Sequence, residues 1–178
     1  MDFCKPLLFE STDQSIDIEI VIKIYSHALL RYCHSILCDY HEAQDVLQIT
    51  FIKAWQSKNK FAGGDKDLLN FLYKIAYNTC IDAIRKRRQP VKSIEPAKQN
   101  QEYIPENIKA ALMVLSPLDR AVTYSHAVDE MPFAELAQIY GKNAATLRKR
   151  YERARKKLGK ILEKDYPNYK RGVNDNDE

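Results

Sequence analysis

The sequence has little glycine, five residues in 178, and no segment that alternates cleanly between apolar and polar side chains. Both absences argue against a sheet-rich fold, which needs tight turns and a period of two. No apolar run approaches the ~20 residues of a membrane span, so membrane insertion is not expected. The opening stretch, "MDFCKPLLFESTDQ", lacks a basic segment followed by an apolar one, the mark of a secretory signal. The cysteines are Cys4, Cys33, Cys38 and Cys80. None forms a C-x-x-C pair, and free thiols in a reducing cytoplasm are the expectation. There is no P-loop, no G-x-S-x-G and no H-E-x-x-H, so nothing points to an enzyme or to a cofactor. His34, Cys38 and His41 have a spacing that suggests metal ligands. A helix break expected at Asp39 takes them off one helix, and no metal site is expected.

The chain does have cationic charge, concentrated in a few places. The formal net charge is only +4. Yet from Lys142 to Lys164 ten Lys and Arg face only Glu152 and Glu163, which leaves the remainder of the chain net acidic. A second basic knot is Arg85–Arg88. Charge gathered at chosen places on a near-neutral chain suggests a polyanionic partner. A solvated helix face is the plainer reading of any one such run.

Apolar residues recur with the helical period of 3.6. The first such pattern uses Val21, Ile24, Tyr25, Ala28, Leu29, Tyr32, Cys33 and Ile36. Asp39 is placed to cap the next helix, whose inner face is assigned to Ala43, Leu47, Phe51, Ala54 and Trp55. Gly63 and Gly64 turn the chain into a third helix, with Leu68, Leu72, Ile75, Ala76, Thr79, Ala83 and Ile84 inward. Residues 89–107 hold three prolines and no period, and read as a linker. Helices are expected to resume at Ile108. Ser116, Pro117 and Asp119 form a helix start, and Pro132 opens another helix. The expectation is an all-α protein of two small helical domains joined by a flexible linker: residues 16–88, a linker at 89–107, residues 108–164, and a polar tail at 165–178.

The stretch "FAELAQIYGKNAATLRKRYERARKKL" reads as a helix-turn-helix. Leu136, Ala137 and Tyr140 face inward, Gly141 supplies a left-handed exit, and Leu147, Tyr151, Ala154 and Leu158 stripe the second helix. Arg148, Lys149, Glu152 and Arg153 fall on the opposite side. A helix so presented fits the major groove, where Arg reads guanine and other cations hold phosphate. Asn143 and Thr146, near its start, are candidates for phosphate or base-edge contacts. Lys142 occupies a position where this motif usually buries an apolar residue.

Two further faces stand out. Asp45, Gln48, Ile49 and Ile52 share the outward side of the second helix, which suggests docking on both sides. Cover by the N-terminal helix is the alternative. The third helix carries an expected outward stripe of Asn70, Tyr73, Lys74, Tyr77, Asn78 and Arg85. Rings, amides and cations so interleaved suit single-stranded nucleic acid, because bases stack on the rings.

In order along the chain, "EAQDVLQITFIKAW", "FLYKIAYNTCIDAIRKRR", "LSPLDRAV" and "ELAQIYGKNAATLRKRYERARKKL" resemble the extracytoplasmic-function sigma factors of bacterial RNA polymerase, from about Ile20 to Leu162. The resemblance implies an N-terminal domain for core RNA polymerase and the −10 element, and a C-terminal domain for the −35 element. It implies polymerase contacts at Asp45, Gln48, Ile49 and Ile52. Single-stranded −10 contacts would come from Phe61, Tyr73, Tyr77, Asn78 and Arg85. Duplex −35 contacts would come from Asn143, Thr146, Arg148, Lys149, Glu152 and Arg153. Ile49 stands where the family usually has Glu, Ala62 where it often has Arg, and Phe71 where it usually has Trp. Members are commonly held inactive by an anti-sigma factor, and no residue here identifies one. A stand-alone helix-turn-helix regulator is the alternative reading.

Overall fold

A computed structural model describes residues 17–57, 64–87 and 104–165. Seven α-helices and no strand occur among them: α1 Ile18–Leu37, α2 Tyr40–Gln56, α3 Asp65–Arg87, α4 Glu106–Met113, α5 Pro117–Ala127, α6 Phe133–Tyr140 and α7 Ala144–Asp165. Phe61, Ala62, Gly63 and most of the expected linker lie outside the described residues. Helix α4 opens at Glu106, two residues before the expected start, with Pro105 at its N-cap.

Local chemistry sets the helix ends. The Asp17 carboxylate accepts from the Glu19 and Ile20 amides. Asp39 accepts from Glu42 at 2.9 Å and starts α2. Ser116 accepts from Asp119, with Pro117 at the first helical position of α5. Each cap satisfies an amide that would otherwise lack a partner. Cys38 ends α1 in the left-handed region, at φ 54°, where a non-glycine residue is uncommon.

The first three helices pack on one another, as do α5, α6 and α7, with α4 against α7. The two groups also meet, α1 on α5 and α3 on α6. One continuous buried cluster therefore runs from Val21, Leu29 and Leu72 through Val122 and Leu136 to Leu147. The first helix departs from its expected pattern at one position: Ile24 is exposed. The second departs at Trp55, which is 50% exposed, while Val46 and Thr50 are buried in its place. Trp55 follows Ile52 by three residues and Gln48 by seven, so helical spacing puts it on their side. Thr50 is accommodated because its hydroxyl donates to the Val46 carbonyl at 2.7 Å.

Two arginines serve the fold. Arg87, part of the basic knot, pairs with Glu42 of α2 and donates to the Leu37 carbonyl. Arg120 is buried and donates to the sulfurs of Cys38 and Met113, both at 3.2 Å.

Gly141 ends α6 at φ 61°, ψ 38°, and its amide donates to the Ala137 carbonyl. The space where a Cβ would sit is open, so a side chain there meets backbone strain without a clash. Gly141→Ala should lower stability by about 1–2 kcal/mol, read as a drop in the midpoint of chemical denaturation at unchanged slope. A shift within error would mean the turn relaxes freely.

Candidate nucleic-acid and polymerase interfaces

Helix α7 presents the basic face. Leu147 and Ala154 are buried, and Tyr151 and Leu158 are partly so. Thr146, Arg148, Lys149, Glu152 and Arg153 are exposed on the other side. Lys142 is exposed too, so its charge carries no burial cost at a position that is usually apolar. Its amide donates back to the Ala137 carbonyl and closes the turn.

Three side chains on this surface are already held. Asn143 accepts from the Ala145 amide at 2.8 Å, so it caps α7 before it can reach DNA. Arg153 donates to the Lys149 carbonyl of its own helix. The Arg148 guanidinium carbon lies 5.6 Å from the centroid of the Phe133 ring, within cation–π range. Phe133 in turn belongs to a packed trio with His126 and Tyr151, at centroid distances of 4.1, 4.7 and 5.9 Å. Sequence spacing gave no sign of this support, because His126 and Phe133 come from different elements than Arg148. Arg150 faces the other way and binds Asp119 at 2.9 Å, tying α7 to the start of α5.

On α2, Asp45, Gln48, Ile49 and Ile52 are all exposed, Ile49 at 41% and Ile52 at 55%. Helix α1 does not cover them. With Trp55 they make one broad apolar face, edged by a carboxylate and an amide. Isolated exposed apolar residues are ordinary, whereas a contiguous patch of large ones marks an interaction site.

The expected stripe on α3 divides. Lys74, Asn78 and Arg85 are exposed, and Asn70 and Tyr77 are partly buried. Arg85 pairs loosely with Asp82 at 3.6 Å. Tyr73 corrects the outward assignment, since it is only 2% exposed. Its ring lies 4.6 Å from that of Tyr32, and its hydroxyl donates to Asp129 at 2.8 Å. The Tyr77 ring stands edge-on to Tyr140 at 4.9 Å. Burial pushes the Tyr73 hydroxyl well above the ordinary tyrosine range, reinforced by the nearby Asp129 carboxylate. The same two causes push Tyr124 up to about 12. Burial also raises Asp129, against the opposing effects of the Tyr73 hydroxyl and Arg31. These phenols therefore stay protonated and can donate hydrogen bonds across the physiological range.

No three His, Cys, Asp or Glu side chains are grouped to hold a metal among the described residues. Among them, too, no helix is long and apolar enough to cross a membrane.

The chain thus combines a helical unit whose α7 exposes a basic face with another whose α2 exposes an apolar one. Comparison with known proteins narrows the class. Residues 21–89 match the model of sigma-70 region 2, and residues 106–158 match that of sigma-70 region 4. The ECF RNA polymerase sigma factor SigG of Mycobacterium tuberculosis is 28% identical over 169 residues, covering 75% of this chain but 45% of that protein. The chain thus spans about half the length of that relative. SigW of Bacillus subtilis, another ECF sigma factor, is 26% identical over 163 residues, covering 80% of this chain and 87% of that protein. Among solved structures, the sigma factor RpoE in complex with the anti-sigma factor NepR from Bartonella quintana aligns with a TM-score of 0.69 at 24% identity, over 84% of this chain and 98% of that one. CnrH in complex with the cytosolic domain of CnrY aligns at 0.63 and 22%, over 83% and 88%. The chain belongs to the extracytoplasmic-function family of RNA polymerase sigma factors.

Proposed function

We propose that this protein is a non-enzymatic specificity subunit that binds core RNA polymerase in the cytoplasm and directs it to promoters. The observation that carries the reading is the presence, in one chain, of two unlike exposed surfaces on separate helical units. The α2 face of Asp45, Gln48, Ile49, Ile52 and Trp55 is apolar with a polar edge, which suits a protein partner. The α7 face is cationic and suits duplex DNA at a −35 element. A third surface on α3, with the partly buried Tyr77 and the exposed Asn78 and Arg85, is assigned to the −10 strand once it is single, joined by Phe61 from outside the described residues; Tyr73, expected on this face, lies buried beneath it. One solved relative was captured with an anti-sigma factor, and a protein inhibitor of that kind is included among the proposed partners.

Transcription in vitro with purified core polymerase on a promoter library tests the whole reading. Selection of two unlike elements at a fixed spacing is the expected result. A near-palindromic site with half-sites ~34 Å apart, together with no binding to core polymerase, would mark a stand-alone regulator instead.

Within the −35 interface, Arg148→Ala should weaken binding by about 1–3 kcal/mol and relax preference at one base position. Arg155→Ala should cause a smaller loss that hardly depends on sequence. Footprinting on −35 variants separates the two. Unchanged affinity and unchanged preference for Arg148→Ala would remove α7 from the role of reading helix.

A further inference from the structure

Helix α7 carries several arginines, and they are not held alike. Arg150 is committed to Asp119 and Ser116 at the start of α5, and Arg153 donates to the carbonyl of Lys149. Each of those contacts takes up N–H donors. Arg148 is held differently. Its guanidinium carbon stands over the Phe133 ring, 5.6 Å from the centroid. A ring attracts the cation's charge without accepting a conventional hydrogen bond, so the planar fork of donors stays available for a base edge.

The ring beneath Arg148 is itself fixed. Phe133 is the first residue of α6, directly behind Pro132, and it is partly buried while Arg148 is exposed. His126 of α5 lies against the ring at 4.1 Å and 34°, and Tyr151 of α7 meets it at 5.9 Å. The His126 Nδ1 is 2.9 Å from the Met131 carbonyl. A carbonyl only accepts, so Nδ1 carries a proton and donates it there, and the imidazole cannot swing away without losing that bond. Helices α5, α6 and α7 thus converge on one ring. An arginine loose in water loses rotamer freedom when it orders on a base. One that already rests on a fixed ring has lost part of that freedom beforehand.

We propose that Phe133 is a specificity-determining positioning residue, whose ring, locked by His126 and Tyr151, holds the Arg148 guanidinium ready for bidentate contact with a guanine edge in the −35 duplex. This rests on the assignment of α7 to the −35 element. It deepens that assignment by singling out Arg148, among the cations of α7, as the preorganised reader of a base.

Holoenzymes assembled on core RNA polymerase with each variant test this, through competition binding. The base that Arg148 reads is located first, as the −35 position whose preference Arg148→Ala relaxes. Phe133→Leu keeps an apolar side chain and removes the ring. It should weaken binding to the preferred promoter about two- to fivefold and leave binding to a promoter substituted at that position unchanged. Phe133→Tyr keeps the ring and should hold the wild-type preference. In an Arg148→Ala background Phe133→Leu should change nothing further, because a ring that acts through Arg148 then has nothing to position. The preference is a ratio of two affinities from one preparation, so a partly unfolded sample does not alter it. Phe133→Met is the second ringless variant should the leucine variant fail to assemble.

Equal losses on both promoters, or the same loss with and without Arg148, would make Phe133 a structural member of the helix-turn-helix and overturn the proposal. A sharper preference in Phe133→Leu would show the ring restraining Arg148 from the base, and would overturn it too. If Arg148→Ala relaxes no position, the α7 assignment fails and the positioning role with it. If Arg148→Ala relaxes one position while Phe133→Leu leaves that preference intact, only the positioning role fails.

Discussion

Holoenzyme assembled with Asn78→Ala or Tyr77→Ala should bind promoter duplex through α7 yet open it poorly. A ring stacked on an unpaired base is worth about 1–3 kcal/mol, and the Asn78 amide can both donate to and accept from a base edge. Holding a base outside the duplex costs a few kcal/mol of lost stacking and pairing. Loss of one contact should therefore shift the opening equilibrium about tenfold, since 1.4 kcal/mol is a factor of ten. Permanganate reactivity of −10 thymines should fall, and a pre-melted bubble template should restore much of the transcription. The two substitutions are not equivalent in this fold. Tyr77 also packs on Tyr140, so Tyr77→Ala loosens that packing while it weakens stacking. Asn78 is exposed, and its substitution gives the purer measure of strand contact. Wild-type opening by both variants would place strand capture elsewhere.

A larger loss is expected on α2. Asp45→Arg combined with Gln48→Ala should abolish co-elution with core polymerase, because it reverses a charge and deletes an amide on the face proposed to dock. Trp55→Ala should also weaken the complex strongly. A half-exposed tryptophan beside two exposed isoleucines has the character of an interface hot spot, where truncation costs about 2 kcal/mol or more. The double substitution touches only exposed positions, whose effect on stability is usually within about 0.5 kcal/mol. Size-exclusion chromatography with core enzyme, paired with a thermal melt, separates lost docking from lost folding. Normal co-elution by a folded double variant would move the polymerase contact off α2.

The sequence by itself determined much of the secondary structure, because its signals act over a few residues. Asp39 and Ser116 cap helices wherever they precede a helical pattern, and Gly141 is the one residue type that enters the left-handed exit of α6 without strain. The spacing of Leu147, Tyr151, Ala154 and Leu158 likewise fixed which side of α7 carries cations. Family resemblance rested on the same local order of motifs. Helical spacing also held the information on Trp55, beside Gln48 and Ile52, though its size and apolarity favoured an inward assignment.

Only the tertiary structure decided what covers α3. Tyr73 looks like a surface residue in the stripe of Asn70, Lys74 and Asn78, and it is buried with its ring against Tyr32 of α1 and its hydroxyl on Asp129 in the turn after α5. Its partner Asp129 lies 56 residues away, and the pair Tyr32 and Tyr140 is separated by 108. No periodicity links positions so far apart, since a helical wheel orders neighbours on one helix and is silent about which other helix will meet them. The same limit hid the Phe133 ring beneath Arg148 and the sulfurs around Arg120. Which helix faces were polar was a property of the chain. Which of those faces are open to a partner, and which the protein closes on itself, was decided by how its two halves pack.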